Sequence, residues 1–203
     1  MKKYVFLSIA IVLIYFFQSF YNATGGIGAD SLSYFGIASD LPRLETNLFP
    51  LGFPVVIRFF YEIFGDYFWA SKMLNVSMVI ILLLFSYFKK YYFKETVLLF
   101  TGKTLFFALN YAVSEGLFVF MLYFLIYLFH ERFQNRMKPM FFVIFSSLLF
   151  IVLFSIRYSG IYIFLGFGVF WMVMFFKNRF SPINKDFLTV LLWSGSGIFV
   201  YLL

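Results

Sequence analysis

Residues 25–60 read GGIGADSLSYFGIASDLPRLETNLFPLGFPVVIRFF, the longest interruption in a chain otherwise made of long apolar runs. What flanks this stretch decides the fold. Before it lies an apolar run over residues 4–20, and after it the chain returns again and again to segments rich in Phe, Leu, Ile and Val. The whole sequence of 203 residues is 63% hydrophobic and 12% charged, with 35 phenylalanines. A water-soluble domain carries about 45–50% apolar and about 25% charged residues. With so little polar surface, this chain could not cover its own core in water, so its solvent must be lipid.

The run at 4–20 follows Lys2 and Lys3 and is about 17 residues long, beyond the about 7–15 of a signal-peptide core, and no Ala-x-Ala site follows it. It reads as an uncleaved first span with both lysines in the cytoplasm. Further spans are expected at 68–88, 96–113 (interrupted by Gly102 and Lys103), 116–129, 140–156, 161–176 and 187–203. The expected fold is therefore all-α: a polytopic transmembrane helical bundle of about seven spans, in one membrane domain over residues 1–203.

Charge placement orients this layout. The proposed cytoplasmic ends hold Lys2, Lys3, Lys89, Lys90, Lys94, Arg132, Arg136, Lys138, Lys177, Arg179 and Lys185, against Glu95, Glu131 and Asp186. The other side holds Arg43, Arg58, Lys72, Lys103 and Arg157, against Asp30, Asp40, Glu45, Glu62, Asp66 and Glu115. Basic residues thus gather on one side as the positive-inside rule requires, with the N-terminus in the cytoplasm and the loop 21–67 outside. The net charge of +7 is accounted for as a topology signal and asks for no nucleic acid. The absence of cysteine removes disulfides and thiolate chemistry, and a lone His130 leaves no zinc cluster. A divalent metal here would be a hard cation on carboxylates.

Within the loop, two short interfacial helices are expected. Asp30-Ser-Leu-Ser33 has the form of a helix start with Asp30 as N-cap, followed by helix to Ser39 and a stop at Pro42. Pro54 suits a first helical position, and the helix 55–64 ends at Gly65. Arg58 and Glu62 stand four apart on it and should pair. A short apolar helix of this kind suits the membrane surface.

Each candidate residue has a plain and a chemical reading. Asp30 is either a cap that accepts a backbone N–H or a general base at the membrane surface, and a cap is also a rigid mount. Glu115, after Ser114, either favours a helix dipole or acts as a carboxylate kept at membrane depth for function. Arg157, where the fifth and sixth spans meet, either snorkels to headgroups or clamps a phosphate. Lys103 in mid-span costs about 2.5–3.5 kcal/mol on insertion scales, so it should pair with an acid or line a wet cavity. Lys72 reads as a plain interfacial residue. Arg43, Glu45, Arg58 and Glu62 read as solvated or mutually paired, and Asn22-Ala-Thr24 is a weak glycosylation match.

The order of these pieces carries a resemblance. A first span is followed by Gly-x-Asp30-x-x-x-Tyr34-x-x-x-Ala38, then Pro50-x-Gly-Phe-Pro54 and a helix ending in Phe64-Gly65. After two more spans come Ser114-Glu115-x-Leu-Phe118, and then Ile156-Arg157-Tyr-Ser-Gly160. This resembles the N-terminal half of GT-C fold integral membrane glycosyltransferases, the group that includes protein mannosyltransferases and lipid A aminoarabinose transferases. The resemblance implies sugar transfer from a polyprenyl-phosphate-linked donor to a glycan, lipid or protein acceptor at the outer face of the cytoplasmic membrane. It implies Asp30 as catalytic base (or partner to a divalent cation) and places the family's Ser-Glu and arginine positions on Glu115 and Arg157, and with these two Tyr34 and Lys103 are the substrate-binding candidates. Many members have an Asp-Glu pair where Ser31 follows Asp30 here. The family's second half would follow Leu203, so the chain reads either as an N-terminal portion or as a short relative. The competing expectation is a lipid-phosphate carrier or flippase-like module, or a scaffold, with no glycosidic chemistry.

Overall fold

The computed structural model describes residues 2–21, 26–43, 49–179 and 181–202, without the Tyr21 side chain. Ten helices account for its regular structure, and no strand occurs among the described residues. They are α1 (Lys2–Tyr21), α2 (Ala29–Asp40), α3 (Gly52–Phe64), α4 (Tyr67–Lys89), α5 (Phe93–Phe100), α6 (Lys103–Asn110), α7 (Glu115–Phe133), α8 (Pro139–Ile156), α9 (Gly160–Lys177) and α10 (Pro182–Leu202). Of these, α1, α4, α7, α8 and α9 are long and apolar enough to cross a membrane. This is the architecture of a multi-pass membrane protein. The chain divides into two compact units, one up to Phe120 and one from Met121, with the boundary inside α7.

The first unit is built on α4. Its 23 residues make a rod of about 34 Å, enough for a hydrocarbon core of about 30 Å. Both ends are defined locally. Gly65 takes φ 70° and its N–H bonds the Tyr61 carbonyl at 2.7 Å, which stops α3. The Asp66 carboxylate then accepts the Trp69 N–H at 2.9 Å and starts α4. Because α1, α3, α5 and α6 all pack on α4, its Leu74, Met78, Val79, Leu82 and Leu83 are buried.

The expected third span is not one continuous helix. It is α5 and α6, of eight residues each, separated at Thr101 and Gly102. Gly102 has ψ 129°, and the Thr101 and Gly102 N–H groups turn back to the Leu98 and Leu99 carbonyls, both at 3.1 Å. Each half is only about 12 Å long, too short to cross alone. Together they run back along α4. Phe93 meets Tyr87 at 5.3 Å between ring centroids, Tyr15 of α1 donates to the Phe100 carbonyl at 3.2 Å, and the end of α6 reaches Asn75. The expected seventh span falls within α10, which is not among the five apolar crossings, so the structure supports the helical membrane class without fixing seven spans.

In the second unit α8 and α10 pack closely and α9 lies beside both. Phe187 of α10 is wholly buried, with its ring centroid 5.3–5.7 Å from those of Phe129, Phe133, Phe142 and Phe167. Beside it Arg132 and Asp186 form an ion pair at 2.6 Å.

Candidate functional site

The first helix of the loop begins two residues earlier than its sequence suggests. Gly28, in extended backbone at φ −116° and ψ −179°, is the N-cap of α2. The turn is closed by Ser31, whose wholly buried hydroxyl accepts the Gly28 N–H at 3.0 Å. Asp30 is thus the second helical residue and not the cap, which corrects the expectation. Its carboxylate keeps the favourable position near the helix dipole and stays exposed. Among the described residues no hydrogen bond or ion pair occupies it.

Two ties bracket Asp30. On one side Gly26, at φ 86°, accepts the Ala112 N–H on its carbonyl at 2.8 Å. A side chain at Gly26 would collide with the Asn110 carbonyl and come within 2.8 Å of Lys72 Nζ, so only glycine lets these segments approach. On the other side, one helical turn beyond Asp30, the buried Tyr34 hydroxyl meets Ser114 Oγ at 3.1 Å. The Tyr34 ring is set edge-on to Phe49 and Phe53, with centroids 5.2 and 4.9 Å away. Ser114 is buried, and the half-buried Glu115 follows it in the first turn of α7. The structure therefore brings the Asp30 turn, Tyr34 and the Ser114–Glu115 step to one end of the first unit.

A third group belongs there and was misread in the sequence. Lys72 is 1% exposed, not interfacial, and its ammonium donates to the Asn110 carbonyl. One turn away Asn75, also buried, donates through Nδ2 to the Leu109 carbonyl at 2.7 Å and the Tyr111 carbonyl at 3.1 Å. These carbonyls belong to the end of α6 and the linker beyond it, where a helix has no partners of its own to offer. The signal was present in the sequence: a Lys and an Asn three apart, on one face of an apolar helix.

The other expected cations stand differently. Lys103 starts α6 and is exposed, with its ammonium 5.9 Å from the centre of the Phe107 ring, so the expected acid partner is replaced by an aromatic face. Arg157 caps α8 in the second unit, half-buried, its N–H on the Leu153 carbonyl at 3.1 Å. Glu45 and the sequon at Asn22 lie outside the described residues. No group of three or more His, Asp or Glu side chains suited to a metal occurs among the described residues.

No family model, curated protein or solved structure matches the chain.

The chemistry on offer is that of the groups themselves: the exposed Asp30 carboxylate, the Glu115 carboxylate next to Ser114 in the chain, a tyrosine–serine hydroxyl pair and a buried ammonium. Beside them α3 supplies a cover. Its Phe53 and Ile57 are buried, while Val55, Phe59 and Ile63, four apart, form an exposed apolar stripe. The expected Arg58–Glu62 pair forms at 2.8 Å, and Arg58 also donates to the Tyr67 hydroxyl at 2.8 Å, which anchors α3 to α4. An apolar stripe on an anchored short helix is what a membrane surface would accept.

Proposed function

We propose that this chain is a membrane glycosyltransferase of the GT-C kind. It moves a sugar from a polyprenyl-phosphate-linked donor to an acceptor hydroxyl or amine at the outer face of the cytoplasmic membrane. The observation that carries the reading is the exposed Asp30 carboxylate on a turn flanked by the Gly26–Ala112 and Tyr34–Ser114 ties, the second of them one residue before Glu115.

In this reading Asp30 takes the proton of the acceptor as its oxygen or nitrogen attacks the anomeric carbon. The bond from that carbon to the phosphate oxygen breaks, and polyprenyl phosphate leaves with the electron pair. Glu115 offers hydrogen bonds to the sugar hydroxyls, and Tyr34, buried against Ser114, lines the substrate side of that turn as a positioning group. The exposed Lys103 ammonium, at the start of a half-helix, is suited to an anionic headgroup. Arg157, in the second unit, is proposed as a phosphate-binding group in its own right. The apolar stripe of α3 would keep the loop at the lipid surface, where both substrates are delivered.

The test is transfer of labelled sugar from a polyprenyl-phosphate donor in membranes carrying the protein. Asp30→Asn should lower transfer by about 10²–10⁴-fold, the range of a lost general base. Transfer unchanged in Asp30→Asn would remove Asp30 from the mechanism. Movement of the lipid across the membrane without release of polyprenyl phosphate would favour a carrier over a transferase.

A further inference from the structure

The segment that presents Ser114 and Glu115 has a structural problem. Between Asn110 and Glu115 the chain leaves helix, so the last carbonyls of α6 face an apolar interior with no N–H to meet them. A helix C-terminus also concentrates partial negative charge. The protein answers with one turn of α4. Lys72 meets Asn110, and Asn75 spans Leu109 and Tyr111, so three successive carbonyls are held by two side chains. Gly26 closes the same knot from the loop side by accepting the Ala112 N–H.

We propose that Lys72 is the positioning residue of the Asp30–Glu115 site. Its ammonium is a cation tethered to α4, and with Asn75 it fixes the α6–α7 linker so that Ser114 stays against Tyr34. This assignment rests on the reading of that region as the reactive site, but it concerns geometry and can be measured without substrate. Simple core-filling does not account for the choice of residue. An apolar side chain at position 72 would fill the space but leave the buried Asn110 carbonyl unmet. A donor long enough to reach that carbonyl from α4 holds the linker as well as filling space.

The native chain has no cysteine, so single thiols report cleanly. Ser114→Cys places one at a buried position in the site, and Ser86→Cys places one at a buried position near the far end of α4. The full chain is reconstituted in liposomes and labelled with N-ethylmaleimide. Adding Lys72→Met should raise the labelling rate at position 114 about tenfold or more, the weight of one charge-assisted hydrogen bond in a local opening equilibrium, and leave position 86 unchanged. Lys72→Arg, which keeps a charged donor, should restore slow labelling at 114. Equal acceleration at both positions, or none at 114, overturns the assignment in favour of a merely structural lysine. Should Lys72→Met fail to fold, Asn75→Leu is read by the same two rates. If the rates behave as expected while no form of the protein transfers sugar, the clamp stands and the transferase reading falls.

Discussion

Asp186→Ala in the second unit should be among the most damaging single changes in this protein. Arg132 approaches Asp186 Oδ2 through Nε at 2.7 Å and Nη2 at 2.6 Å, and its Nη1 donates to Asn135 Oδ1 at 3.1 Å. The two side chains are 8% and 15% exposed, so neither is solvated enough to screen the pair. At that separation and an effective dielectric of about 20, the Coulomb attraction is roughly 6 kcal/mol, much of it offset by desolvation. Removing the aspartate leaves a guanidinium buried without its counter-charge, which costs about 3–5 kcal/mol. For a chain of this size that lowers Tm by roughly 10 °C. Replacing both partners, as Arg132→Met with Asp186→Leu, leaves no orphan charge and should fall within about 2 kcal/mol of the parent. The assay is thermal unfolding in detergent followed by tryptophan fluorescence. Trp171 is a local reporter, since its indole N–H donates to the Asn184 carbonyl at 3.1 Å, close to Asp186 in sequence. A single variant that melts within about 2 °C of the parent, or a double variant as weak as the single, would refute the reasoning.

Two smaller predictions use the same unfolding measurement. Gly26→Ala should cost about 1–3 kcal/mol, because φ 86° and the nearby Asn110 carbonyl both oppose a side chain, whereas Gly28→Ala, with no atom near the added carbon, should cost well under that. Equal losses at the two glycines would show that the Gly26 contact does not matter. Glu62→Gln should leave Tm within about 2 °C of the parent, since the Arg58–Glu62 pair is 36% and 62% exposed and screened by water. A loss of several degrees in Tm would mean that this pair holds α3 in place, contrary to the role given to the Arg58–Tyr67 bond.

Composition alone determined that this chain belongs in lipid and is helical, because apolar runs of span length leave the backbone no other way to satisfy its hydrogen bonds. Local rules also placed the two loop helices, the stop at Gly65 and the Arg58–Glu62 pair, since each depends on residues within one or two turns. What local rules left open was decided by competition between neighbouring side chains and by partners far away in the chain. Asp30 is displaced from the cap because Ser31 closes that turn, so a neighbouring side chain won a competition that the sequence leaves open. Lys72 looked interfacial until the carbonyls of residues 109–111 were brought against it by the break at Gly102 and the end of α6. Tyr34 and Ser114 stand 80 positions apart, and only packing of α2 and the α6–α7 linker at the same end of the first unit joins them. The spans follow from the cost of exposing backbone to hydrocarbon; the candidate site exists because tertiary contacts satisfy the places where those spans are interrupted.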